Sequence, residues 1–151
     1  MKKYAVVLFA LFISMGIQAQ TTGADAVKKT ITRLFEGMRK GDSTIVKSTL
    51  AQNVIFQTVA TSKGNTKVQT ENVQNFLKAV GSKHTEMWDE RITFHEVLVD
   101  DGLASVWTSY RFYAGDKFSH CGVNSFQLAK ENDKWEIIYL IDTRRKDKCP
   151  E

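Results

Sequence analysis

The stretch LASVWTSYRFYAGDKFSHCGVNSFQLAKENDKWEIIYLIDTRR, Leu103 to Arg145, decides the fold. Gly115-Asp116 and Glu131-Asn132-Asp133 break it into three runs rich in β-branched and aromatic residues, the signature of consecutive antiparallel strands. Upstream, Asp101-Gly102 is a hairpin turn of the type that needs φ > 0, and a fourth run precedes it. Strands are expected over about 91–99, 103–113, 117–129 and 134–144.

Turn lengths set which side chains are neighbours. With two-residue loops at Asp101-Gly102 and Gly115-Asp116, Trp107 falls opposite Asn124 and Arg111 opposite His120. One face then collects Phe94, Glu96, Leu98, Leu103, Trp107, Arg111, His120, Asn124 and Phe126; the other collects Val97, Val99, Val106, Tyr110, Phe112 and Cys121. We take the first as the inner face. It combines large apolar side chains with polar groups that need partners when buried. The last strand has two possible registers. A three-residue loop at 131–133 turns Ile138, Leu140, Asp142 and Arg144 inward, and a two-residue loop turns Ile137, Tyr139 and Ile141 inward.

The chain before residue 91 supplies the cover. Val27, Ile31, Leu34, Phe35 and Met38 make one helical stripe over about 24–40, ended by Gly41. Asp42 or Ser43 starts a short second helix. Residues 54–61 and 66–69 pair through the turn Lys63-Gly64-Asn65. Thr70 caps a third helix carrying Val73, Phe76, Leu77 and Val80. Residues 82–90 read as a polar loop; His84, Glu86, Asp89 and Glu90 are too close together in one loop to converge on a metal. No metal or cofactor is expected.

One domain, 20–151, suits a chain of 151 residues. Residues 1–19 read as a secretory leader: Lys2 and Lys3, the uncharged apolar run from Ala5 to Ile13, then a small-residue end at Ala19. The run is shorter than the roughly 20 residues of a spanning helix. The mature chain is expected in the periplasm or outside the cell, with no membrane attachment. Its formal charge falls from +4 to +2 without the two leader lysines, and its basic residues are scattered, so nucleic acid is not an expected partner. Cys121 and Cys149 are too few for a zinc site. An oxidising compartment favours a bridge between them over two free thiols, worth about 3 kcal/mol.

The order ααββαββββ resembles the nuclear-transport-factor-2-like cone fold, an α+β superfamily that includes SnoaL-type cyclases, ketosteroid isomerase and scytalone dehydratase. Val106 to Tyr113, Ser119 to Phe126 and Trp135 to Arg145 are most similar to exported bacterial members of a subgroup labelled lumazine-binding. The resemblance implies a curved antiparallel sheet of about six strands, three helices closing its concave face over a pocket, and frequent homodimers through the sheet. It also favours the three-residue loop before Trp135, and so Asp142 inward. The enzymatic relatives' residues carry over poorly: the first strand has no acid and the first helix no Tyr.

The expected site is a pocket walled by Trp107, Phe126 and Leu140, with Arg111, His120, Asn124, Asp142 and Arg144 as polar groups. Trp107 would stack on a flat ring, and Arg111 or Arg144 would hold an anionic or carbonyl-rich group by forked hydrogen bonds. His120 would act as a general base if Asp142 fixes its tautomer. Three functions follow: binding of a small hydrophobic or cyclic ligand, a small isomerase, dehydratase or cyclase using the His120–Asp142 pair, or a dimerising module using an outer face with Val106, Tyr110 and Phe112. Against all three stands a purely structural polar network at the sheet rim.

Overall fold

The computed structural model describes residues 5–62 and 64–150, with the side chains of 23–61 and 64–150. The expected leader thus has no described side chains, and its Lys2 and Lys3 lie outside the described residues. The order is α1 (Ala5–Lys40), α2 (Ser43–Lys47), β1 (Leu50–Ser62), β2 (Asn65–Glu71), α3 (Val73–Gly81), β3 (Trp88–Asp100), β4 (Leu103–Ala114), β5 (Lys117–Glu131) and β6 (Lys134–Thr143). The α+β order is the expected one, but α1 begins well before residue 24.

Local chemistry explains the boundaries. At the end of α1, Gly41 takes φ +64, and the amides of Gly41 and Asp42 return to the carbonyls of Met38 and Gly37. Asp42 Oδ1 then accepts from the amides of Thr44 and Ile45 and starts α2. The third helix is capped by Asn72, not Thr70; Thr70 lies in β2. The chain expected as a loop before residue 91 already belongs to β3 from Trp88.

The six strands form one sheet in the order β2-β1-β6-β5-β4-β3. It is mixed where an antiparallel sheet was expected, because β1 runs parallel to β6. Three single-residue bulges mark it: His95 in β3, Ser119 in β5 and Ile138 in β6 have no partner across the ladder. Each bends its strand and moves the following side chains to the opposite face.

Two expectations are corrected by these bulges. The turn Gly115-Asp116 is the two-residue loop expected, with Ala114 opposite Lys117, but the bulge at Ser119 then pairs Phe112 with His120, Arg111 with Cys121 and Trp107 with Ser125. The even residues of β4 therefore share a face with His120, and Trp107 and Arg111 lie on the other side. The turn before β6 is a two-residue loop, Asn132 and Asp133 both at positive φ (48° and 61°), not the three-residue loop. Asp142 and Leu140 still face inward, because the bulge at Ile138 makes up the difference.

The core sits where α1 crosses the sheet. All five stripe residues, Val27, Ile31, Leu34, Phe35 and Met38, are buried against Ala104, Val106, Phe126, Leu128, Trp135 and Ile137. Phe35 meets Phe126 edge to face at 6.2 Å. Beyond β6 the tail returns to β5: Cys121 and Arg145 exchange two backbone hydrogen bonds of 2.9 Å, and Cys121 and Cys149 form a disulfide.

That return needs a glycine. A Cβ on Gly122 would overlap the Thr143 carbonyl and stand 2.9 Å from the Tyr110 ring. We expect Gly122→Ala to lower unfolding stability by about 2–3 kcal/mol in urea titrations. At Gly102 the nearest atom to an added Cβ is 4.0 Å away. Gly102→Ala should stay within about 0.5 kcal/mol of the parent.

Candidate functional site

Past the packed end of α1, helices and sheet separate around a cavity of about 540 Å³. Leu34, Phe35 and Met38 of α1 and Asn75, Phe76 and Ala79 of α3 form its roof. The sheet contributes Phe56 and Thr58 of β1, Trp88 and Glu90 of β3, Phe112 of β4, His120 and Asn124 of β5, and Leu140 and Asp142 of β6; Arg144 follows β6. The ring pairs Phe56–Phe76 (5.4 Å) and Trp88–Phe112 (6.2 Å) meet edge to face, and Phe112 stacks on His120 at 4.9 Å. The walls are thus mainly aromatic and aliphatic in area, with one polar group, Gln57, Thr58, Glu71, Asn72 and Asn75, on β1, β2 and the start of α3 and another on β3, β5, β6 and Arg144.

These polar groups form two linked units. Asn124 Nδ2 donates to Glu90 Oε1 at 3.0 Å and to Thr108 Oγ1 at 3.4 Å. Asp142 Oδ2 accepts from Arg144 Nε at 3.0 Å and from the Tyr110 hydroxyl at 3.3 Å, while that hydroxyl also lies 2.9 Å from the Thr143 carbonyl. The other oxygen, Asp142 Oδ1, is buried and has no hydrogen-bond partner among the described residues. A buried carboxylate oxygen left without a donor costs free energy until something donates to it.

The surroundings tune the titratable groups. Burial against apolar walls pushes the Glu90 carboxyl up to about 7, helped by the nearby Asp142 charge and opposed by the Asn124 hydrogen bond. His120 is pushed down, first by burial and then by Arg144, so its imidazole is held toward the neutral form. Burial and the charges of Asp142 and Glu90 push the Tyr110 phenol up and keep it a hydrogen-bond donor.

Of the residues expected to make a site, His120, Asn124, Leu140, Asp142 and Arg144 line this cavity. Three do not. Trp107 is 46% exposed and Arg111 exposed, both on the outer face, displaced by the Ser119 bulge. Phe126 points inward but is fully buried behind the cavity, in the core under Phe35. The stacking surface expected from Trp107 is supplied instead by Trp88 and Phe112. The outer face does not carry Val106, Tyr110 and Phe112: the first two are buried and the third lines the cavity.

The expected His120–Asp142 pair is not joined by a hydrogen bond. His120 Nδ1 lies 3.1 Å from Ser119 Oγ, and Asp142 is occupied by Arg144 and Tyr110. The residue that sequence reading missed is Glu90. Trp88, Glu90, Ile92 and Phe94 alternate with polar Asp89, Arg91 and Thr93, the period of a strand, and that signal places Glu90 inward. Among the described residues no group of three or more His, Cys, Asp or Glu is arranged to hold a metal.

No protein-family model matches the sequence, and no curated protein matches it closely. Solved structures do match. A nuclear-transport-factor-2-like protein of unknown function from Shewanella baltica superposes with TM-score 0.64 at 14% identity, covering 84% of this chain and 97% of its own. The chain has the nuclear-transport-factor-2-like fold. A candidate dehydratase of the same fold family from Streptomyces avermitilis gives TM-score 0.63 at 17% identity over 84% of this chain and 99% of its own. A conserved protein from Planctomyces limnophilus gives 0.66 at 16% over 83% and 98%. At these identities the likeness fixes the architecture and leaves the site to its own chemistry.

The Glu90 shift has a consequence for stability. Its carboxyl titrates near 7 when folded against 4.5 when unfolded, so the folded state keeps its proton longer. The stabilisation from that proton is complete below pH 4.5 and is lost as pH rises through 7. We expect Glu90→Gln to be more stable than the parent above pH 7 by about 2 kcal/mol, the difference closing toward pH 4, in urea titrations run across pH.

Proposed function

We propose that this chain is an exported small-molecule-binding protein whose ligand sits between α1, α3 and the inner face of the sheet. The observation that carries this is the 540 Å³ cavity with ring-lined walls and a polar end holding an unpartnered Asp142 oxygen. A size of several hundred Å³, apolar lining and a few convergent polar groups are the usual features of a ligand site. Export is supported by the basic start and apolar run of residues 1–19 and by the disulfide, a bond that persists in oxidising compartments. No helix among the described residues is long and apolar enough to cross a membrane. Similarity of Ser119 to Phe126 and Trp135 to Arg145 to the exported, lumazine-binding-labelled subgroup points the same way.

The neutral apolar probe N-phenyl-1-naphthylamine should bind one per chain and quench Trp88, which lines the cavity. Ala79→Trp, which fills the roof from α3, should abolish that binding without changing the circular dichroism spectrum. Retained binding in that variant would move the ligand elsewhere.

A homodimer through the outer face belongs to the same proposal. Leu98 (63%), Leu103 (52%) and Trp107 (46%) are exposed there on adjacent strands. We expect Trp107→Arg to shift sedimentation from dimer to monomer; an unchanged profile would discard this face.

A second reading is favoured by one observation, the position of Glu90 near neutrality. A carboxyl poised there can take and return a proton at physiological pH. The alternative is then a small isomerase, dehydratase or cyclase acting on a cyclic carbonyl compound, with Glu90 in the role first expected of His120.

A further inference from the structure

Resting on the binding role proposed above, we propose that the polar end of the cavity recognises an organic cation: a protonated amine carried on an apolar ring or chain. The first support is the balance of hydrogen-bond partners. Asp142 Oδ1 is buried and unpartnered, and Glu90 is hydrogen-bonded only through Oε1 among the described residues. Glu90, which lines the cavity, therefore keeps one carboxyl oxygen without a donor, and Asp142 adds a second acid with only one of its oxygens bonded. The only basic side chain lining the cavity with them is Arg144, and its Nε is spent on Asp142 Oδ2.

The second support is charge. Glu71, Glu90 and Asp142 line the cavity against Arg144 alone, with His120 held toward neutrality. An anion entering here would meet more acidic than basic side chains among the described lining residues. Bringing like charges together costs free energy. An ammonium group supplies three donors and a positive charge, and suits a cavity lined by more acidic than basic side chains.

The third support is the wall. Phe56, Phe76, Trp88 and Phe112 present rings around the same space. Ring faces carry negative electrostatic potential and attract cations within about 6 Å of the centroid, most strongly when water is excluded. Rings and acids in one cavity favour the same ligand, an apolar body with a positive head.

The groups facing Glu90 set the pH response. Asp142 comes from β6 and Arg144 from just beyond it, Asn124 and His120 come from β5, and Tyr110 from β4. On its other side, Arg39 and Lys40 of α1 and Arg91 share an outer groove with Glu90; Arg39 and Arg91 are paired there with Asp89. A cation binds best to ionised Glu90, so binding should release the Glu90 proton near neutrality.

Three naphthyl probes with a shared ring test this: 1-naphthylmethylamine, 1-naphthylmethanol and 1-naphthoate, titrated against the disulfide-intact chain by Trp fluorescence and calorimetry. At pH 8 the amine should bind at least about tenfold more tightly than the alcohol, and the carboxylate most weakly. Between pH 8 and pH 6 the amine should lose about tenfold in affinity as Glu90 takes its proton, while the alcohol changes little. Glu90→Gln should flatten that dependence, and Asp142→Asn should reduce amine affinity about tenfold with the alcohol unaffected. If the alcohol or carboxylate equals the amine, the cation inference is overturned and the binding role stands. If none of the three binds, both fall together. Should a variant misfold, the ranking of the three probes on the unmodified chain still decides.

Discussion

The structure depends on one backbone constraint: the side-chain alternation of the sheet is reset at three points, His95, Ser119 and Ile138. A strand without a bulge presents one fixed parity to the helices from end to end. Here β5 gives the helices Phe126 and Leu128 in the core and His120 and Asn124 at the cavity, and β4 matches them with Val106 and Phe112. The bulge between His120 and the Gly115 turn lets a two-residue loop and this matching coexist. The bulge at Ile138 does the same for β6, holding Trp135 and Ile137 in the core and Leu140 and Asp142 at the cavity. Bulges also bend the strands that carry them. The sheet can then meet α1 at one end and stand away from the helices at the other.

That division explains how much of the molecule was legible in its sequence. The α1 stripe was readable because helical periodicity is fixed by geometry, and five of five stripe residues are in the core. The inward parity of β5 was readable from its own polar and apolar residues. The parity of β4 was not, because it was inferred through the Gly115-Asp116 turn, and the extra residue lies beyond that turn. Ser119-His120 carries no glycine or other mark of a bulge. Trp107 and Arg111 were lost from the site for that reason alone. Asp142 was placed inward by a wrong route: the loop is one residue shorter than expected, and the bulge at Ile138 restores the parity. Glu90 was hidden by the polar residues before Trp88, which read as a loop, although the alternation from Trp88 to Phe94 was present.

Two buried aspartates are held in different ways in this fold. Asp89 lies between Arg39 of α1 and Arg91 of β3, with one carboxylate oxygen against each guanidinium. It ties helix to sheet, and both of its oxygens face a cation. Asp142 is less deeply buried, Arg144 and Tyr110 both act on one of its oxygens, and the other has no hydrogen-bond partner among the described residues. Breaking a buried pair by removing one partner is strongly destabilising, so Asp89 and its arginines form a closed unit. The Asp142 unit instead leaves one carboxylate oxygen without a donor.

Glu90 completes the argument because it answers to both units. It sits one residue from Asp89 on β3, shares Asn124 with the inner face, and feels the charge of Asp142 across the cavity. Two carboxylates in one poorly solvated space cannot both ionise cheaply, and the one without a guanidinium partner is the one that keeps its proton. Arg144 pairs with Asp142, while burial first and the Asp142 charge after it push Glu90 up. The cavity thereby holds an adjustable charge at Glu90, and a positively charged guest is the species that its ionised form favours.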